Sequence, residues 1–79
     1  MSLQPQPVAI VTGAADGIGW ATAQCLAAQG ERVALLDLRG ELAQARAAEL
    51  GAEHLGLACD VTDEASVRTA VAAVQARFG

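Results

Sequence analysis

The chain has 79 residues, 53% of them apolar, and a formal net charge of −4 from nine acidic and five basic residues. That length allows one small domain, which would bury about 60% of its unfolded surface. The acidic balance leaves no basic stripe for nucleic acid, one Phe and one Trp offer little for base stacking, and no polybasic or amphipathic segment suits a membrane surface.

Two cysteines, Cys25 and Cys59, match no Cys-x-x-Cys pattern. With the single His54 they make no structural zinc site, so no metal is expected and both read as buried free thiols. Met1 to Pro7 has neither the charged start nor the apolar core of a signal peptide, and no apolar run approaches the roughly 20 residues of a membrane span. A soluble, reducing, cytoplasmic setting is the expectation.

In chain order, residues 1–7 are polar with Pro5 and Pro7 and read as a disordered lead-in. Val8 to Thr12 is a continuous apolar run, the pattern of a strand buried on both faces. A glycine-rich turn follows, Thr12-Gly13-Ala14-Ala15-Asp16-Gly17-Ile18-Gly19. From Gly17 to about Gln29 the spacing turns helical, with Ile18, Thr22, Cys25, Leu26 and Gln29 on one side. Gly30 stands where a closing glycine belongs.

Arg32 to Leu36 predicts a second strand ending at Asp37. A second helix is expected over Gly40 to Leu50, closed by Gly51. Glu53 to Cys59 predicts a third, weaker strand, interrupted by Gly56. The last helix is expected to start from Thr62 as N-cap, with Asp63 and Glu64 in its first turn. Val67, Val71, Val74 and Phe78 form an apolar stripe along it. Strand and helix alternate three times. This predicts an α/β fold, a Rossmann-type parallel sheet in the order 3-2-1, as the βαβαβα part of a larger doubly wound fold over residues 8–79.

The glycine turn carries the chemistry. Gly13 permits the tight exit from the strand, while Gly17 and Gly19 lack a Cβ, so a diphosphate and the next strand can come close. Ile18 sits between them at the opening of a helix, whose N-terminal N–H groups would face the anion. Asp37, at the end of the second strand, lies where a carboxylate accepts from both hydroxyls of an adenosine ribose and repels a 2′-phosphate. Asp16, inside the turn, adds to that repulsion. Arg39 could pair with a phosphate, but two carboxylates stand against it, so NAD is favoured over NADP. Asp60, after the third strand, could accept from the exocyclic amine of adenine, with Val61 as an apolar wall. An ordinary capping role for Asp60 fits its position as well.

With Thr12-Gly13-x-x-x-Gly17-Ile18-Gly19, Asp37, and Cys59-Asp60-Val61-Thr62-Asp63 in place, the chain resembles the N-terminal segment of a classical short-chain dehydrogenase/reductase. The resemblance covers Val8 to Gly79. It implies a seven-stranded sheet about three times longer, an NAD-dependent hydride transfer to or from an alcohol or carbonyl substrate, and a homo-oligomeric parent. It also implies an Asn-Asn-Ala-Gly motif, a catalytic Ser and a Tyr-x-x-x-Lys motif further on. This chain contains no Tyr and no Lys, and Ser2 and Ser66 match no catalytic position. Gly13, Asp16, Gly17, Ile18, Gly19, Asp37, Asp60 and Val61 are therefore expected to hold the dinucleotide, and no residue here to catalyse. The open edge of the first strand and the uncovered apolar stripe point to a piece of a larger fold. The other reading is a stand-alone nucleotide-binding or scaffolding module without chemistry.

Overall fold

A computed structural model describes residues 6–79, which form three strands and three helices in alternation. Residues 1–5 of the expected lead-in lie outside the described residues. The elements are β1 (Val8–Thr12), α1 (Gly17–Ala28), β2 (Arg32–Asp37), α2 (Gly40–Leu50), β3 (Leu55–Ala58) and α3 (Glu64–Phe78). The strands are parallel, and β2 lies between β1 and β3. That is the expected 3-2-1 order viewed from the other edge.

Pairing begins at Val8 opposite Arg32 and at Ala34 opposite Leu55. The Arg32 N–H donates to the Pro7 carbonyl (2.9 Å), and the Cys59 N–H donates to the Asp37 carbonyl (2.9 Å), so each ladder runs one residue past its strand.

The central strand alternates between two cores. Val33 and Leu35 join Ala14, Ala23 and Ala47 under α1 and α2. Leu36 joins Cys59 and Ala70 under α3. Helices therefore cover both faces of β2, the condition under which a parallel strand reads as a continuous apolar run. Val33 to Asp37 are all buried.

The same apolar pattern in β1 has a different outcome. It was expected to be buried on both faces, yet Val8 is 41% and Ile10 45% exposed. β1 has β2 as its one neighbour among the described residues, and only Ala9 and Val11 turn toward α1. Val8 and Ile10 instead line an apolar groove of about 240 Å³ with Val71, Val74 and Phe78 of α3.

The face of α1 is a second correction. Ile18, Thr22, Cys25 and Gln29 are exposed, and the helix buries Ala23, with Trp20, Leu26 and Ala27 beside it. A Cβ at Gly19 would overlap the Gly13 carbonyl oxygen and stand 3.1 Å from Ala14 Cα. Gly19 must therefore face the turn, and positions 23, 26 and 27 follow it onto the sheet at helical spacing. Cys25, expected to be buried, faces out for the same reason, while Cys59 is buried as expected.

Gly56 is the third. It weakened the sequence pattern of β3, but the strand forms and uses the glycine. A Cβ there would lie 2.6 Å from Gln44 Cα, so α2 packs directly on the strand backbone. β3 is shorter than expected because His54 has another partner. The Val33 N–H donates to His54 Nδ1 (3.0 Å) before the β3 ladder begins. That bond leaves the ring proton on Nε2, 3.2 Å from the Glu53 carboxylate. His54→Ala should lower stability by about 1–3 kcal/mol in urea denaturation, because a buried strand N–H loses its acceptor. A loss under about 0.5 kcal/mol would mean that this bond adds nothing to the strand.

Helix boundaries follow their caps. Gly30 (φ +90°) and Gly51 (φ +140°) close α1 and α2. The cap of α3 is Asp63, not Thr62. Asp63 accepts from the Ala65 and Ser66 N–H groups. Thr62 instead turns back to Asp60, and both its N–H and hydroxyl donate to Asp60 Oδ1. Glu64 and Arg77 lie at the ends of α3 that the helix dipole favours.

Candidate functional site

All three strands end at the same edge, and their C-terminal ends frame a cleft of about 370 Å³. Thr12 and Gly13 come from the end of β1, Asp37 and Leu38 from the end of β2, and Cys59 to Thr62 from the segment after β3. In open parallel sheets this edge is where ligands bind, because loops and helix N-termini converge there.

The glycine turn forms one wall. Gly13 (φ +62°) and Gly17 (φ +55°) are left-handed, and a Cβ at either would meet nothing within 4 Å. The backbone there is bare. Between them, Ala14 and Ala15 are fully buried and fastened to β2. The Ala14 N–H donates to the Leu36 carbonyl (3.1 Å), and the Ala15 N–H donates to Asp37 Oδ2 (3.2 Å). Gly19 closes the turn against Gly13; the chain that approaches it is the turn itself, not the next strand as the sequence suggested.

Asp37 is the centre of the site. It is only 8% exposed, yet it is a carboxylate at a strand terminus. Its Oδ1 accepts from the Arg39 N–H (3.0 Å) and from Arg39 Nε (3.2 Å). The Arg39 backbone N–H holds its carboxyl below the ordinary carboxylate value. Burial opposes this, and the Ala15 N–H and the Arg39 side chain reinforce it. Asp37 is therefore ionised at neutral pH. With about four lone-pair sites on a carboxylate, three such bonds leave capacity for a ligand hydroxyl.

Asp16 is exposed and caps α1, accepting from the Gly17 N–H (2.8 Å). It also stands 3.7 Å from Arg39 Nη1. One guanidinium thus bridges the carboxylates of Asp16 and Asp37. The sequence had set Arg39 against these two acids; the fold joins all three.

Asp60 Oδ1 accepts from the Thr62 hydroxyl (2.6 Å) and N–H (2.9 Å), which hold its carboxyl below the ordinary value, the hydroxyl most strongly. Its own N–H donates to Ser66 Oγ (2.9 Å). Val61 is 59% exposed on the rim of the cleft. Of the residues singled out in the sequence, Gly13, Asp37, Asp60 and Val61 line the cleft, and Asp16 joins it through Arg39. Gly17, Ile18 and Gly19 form the adjoining first turn of α1, with Ile18 87% exposed. Among the described residues no group of three or more His, Cys, Asp or Glu side chains could hold a metal ion, and no helix is long and apolar enough to cross a membrane.

Two parts of the site were not among the residues expected to hold the dinucleotide. Leu38, 72% exposed, lines the cleft beside Asp37. Arg46 of α2 donates from Nε to the Ala15 carbonyl (3.1 Å) behind the turn. An Arg in an amphipathic helix looks like any solvated position until the helix is docked.

A family model for short chain dehydrogenases matches residues 7–79. The chain belongs to the short-chain dehydrogenase family. The D-threitol dehydrogenase of Mycolicibacterium smegmatis is 55% identical over 75 residues, which is 91% of this chain and 29% of that protein. The sorbitol dehydrogenase of Cereibacter sphaeroides is 45% identical, over 90% of this chain and 28% of that protein. Among solved structures, a 3-ketoacyl-(acyl-carrier-protein) reductase from Brucella melitensis, complexed with NADH, superposes with a TM-score of 0.90 at 36% identity, over 95% of this chain and 31% of that one. The chain thus spans less than a third of the length of these relatives.

Proposed function

We propose that this chain is the adenosine- and diphosphate-holding part of an NAD-dependent short-chain oxidoreductase. The enzyme moves a hydride between nicotinamide and an alcohol or carbonyl carbon of a small-molecule substrate. The observation that carries the reading is the ionised, nearly buried Asp37 carboxylate lining a cleft together with the bare backbone of Gly13. Bare left-handed backbone at a helix N-terminus suits a diphosphate, and a buried carboxylate with acceptor capacity left suits a ribose hydroxyl.

In this reading Gly13, Gly17, Ile18 and Gly19 hold the diphosphate, Asp37 the ribose, and Asp60 and Val61 the adenine. When bound, the dinucleotide supplies the hydride acceptor or donor. The residues here bind and orient it; groups outside residues 1–79 move the substrate proton. Two relatives are named for D-threitol and sorbitol, which supports an alcohol substrate. The preference for NAD rests on charge. Asp16 and Asp37 repel a 2′-phosphate, and the guanidinium of Arg39 is shared between them.

Calorimetric titration of the full-length enzyme with each dinucleotide tests the reading. NAD should bind at least about tenfold more tightly than NADP, the equivalent of one charge-assisted contact. Equal or tighter binding of NADP would remove the assigned role of the two carboxylates.

A further inference from the structure

Ala15 is held at both ends of its backbone. Its N–H donates to Asp37 Oδ2 (3.2 Å), and its carbonyl accepts from Arg46 Nε (3.1 Å), 31 positions along the chain. Arg46 is itself fixed. Its guanidinium lies 5.0 Å from the centroid of the Trp20 ring on α1, and Nη1 is 3.3 Å from Glu49 Oε2. One side chain of α2 therefore touches the glycine turn, the helix that follows it, and its own helix.

We propose that Arg46 is a positioning residue for dinucleotide binding, acting through the Ala15–Asp16 peptide, with Trp20 as the plate that aligns it. The inference rests on the proposed cofactor role of the turn. A trans peptide points its C=O and its N–H in opposite directions. Drawing the Ala15 carbonyl toward Arg46 therefore turns the Asp16 N–H away from α2. Two residues on either side, Gly13 and Gly17 are left-handed glycines in open space, and the other holds on the turn, through the Ala14 and Ala15 N–H groups and the Asp16 carboxylate, leave the Ala15 carbonyl to Arg46. Arg46 supplies the missing stiffness. Its planar guanidinium can donate in its plane and stack by its face at once, which a Lys cannot do.

The test compares Arg46→Gln, Arg46→Lys and Trp20→Leu in the full-length enzyme, with Arg77→Gln as a control. Arg77 makes the same pair of contacts far from the turn: Nη2 donates to the Ala52 carbonyl (2.9 Å), and the guanidinium lies 5.6 Å from the Phe78 ring centroid. Arg46→Gln should raise the Kd and KM for NAD about tenfold with kcat nearly unchanged, the fold-change of one charge-assisted bond. Arg46→Lys keeps the charge and should still lose most of that affinity, and Trp20→Leu should follow it. Arg77→Gln should lower Tm and leave the Kd alone.

An Arg46→Gln enzyme that binds NAD as wild type does, or no worse than Arg77→Gln, overturns the proposal. Full affinity in Arg46→Lys also overturns it, because the charge alone would then suffice. If wild-type enzyme does not bind NAD, the cofactor reading itself has failed. Amide exchange at Asp16 then decides the brace: faster exchange in Arg46→Gln upholds it, and unchanged exchange ends it.

Discussion

Replacing Asp37 by Ala and Leu38 by Arg together should move the proposed NAD preference of the full-length enzyme toward NADP by at least about 100-fold in the ratio of kcat/KM values. Three changes act in the same direction. The carboxylate proposed to accept from the ribose is gone, the repulsion of a 2′-phosphate falls with it, and a cation enters at a position already 72% exposed on the cleft. Arg39 is also released from one of its two carboxylates. Each charge-assisted contact is worth about 1.5–3 kcal/mol, so two of them reach the stated ratio. Steady-state kinetics with both dinucleotides would check this. An unaltered preference for NAD would show that Asp37 does not read the ribose. The substitution has a structural cost as well, because the buried Ala15 N–H loses its acceptor. A parallel fall in stability of about 1–3 kcal/mol is expected, and Tm should be recorded beside the kinetics.

Gly19→Ala should be the most damaging single change in the turn. The new Cβ would overlap the Gly13 carbonyl oxygen and lie 2.6 Å from its carbon, both backbone atoms that cannot swing aside. Either α1 backs away from the turn or the Gly13 peptide rotates. Overpacking of this kind costs about 1–3 kcal/mol or more, and the shifted turn should weaken NAD binding by over an order of magnitude. Gly13→Ala and Gly17→Ala offer a contrast. Neither Cβ meets an atom within 4 Å, so the penalty is only that of a left-handed backbone, about 1–2 kcal/mol. Urea denaturation of the three variants gives the ranking. If Gly19→Ala proves the mildest, close approach is not the reason for glycine at that position.

The local parts of this protein were legible in its sequence. Gly30 and Gly51 closed their helices where expected, β1, β2 and α2 have the expected bounds, and α1 differs by a residue at one end. These features depend on neighbours a few positions away, through helical period, strand patterning and cap geometry. Thr62 shows where that reasoning failed even at short range. Its hydroxyl turns back to Asp60, and the Asp63 carboxylate takes the cap. Gly56 shows the limit at long range. It looked like a flaw in a strand because the helix that needs it absent of a Cβ lies elsewhere in the chain.

By itself, the sequence determined the alternation of elements, the parallel order of the strands, the family, and the placing of Asp37 and Asp60 at strand ends. Only the tertiary structure decided which face α1 buries, that β1 is half exposed, that Arg39 bridges Asp16 and Asp37, and that Arg46 and Asp37 grip Ala15 from opposite sides. The physical reason is separation along the chain. Ala15 meets Asp37 across 22 positions, Val33 meets His54 across 21, and Ala15 meets Arg46 across 31. No periodicity connects residues so far apart. Their meeting is fixed when helices dock on a sheet, and there the direction of a side chain depends on how closely two backbones can approach.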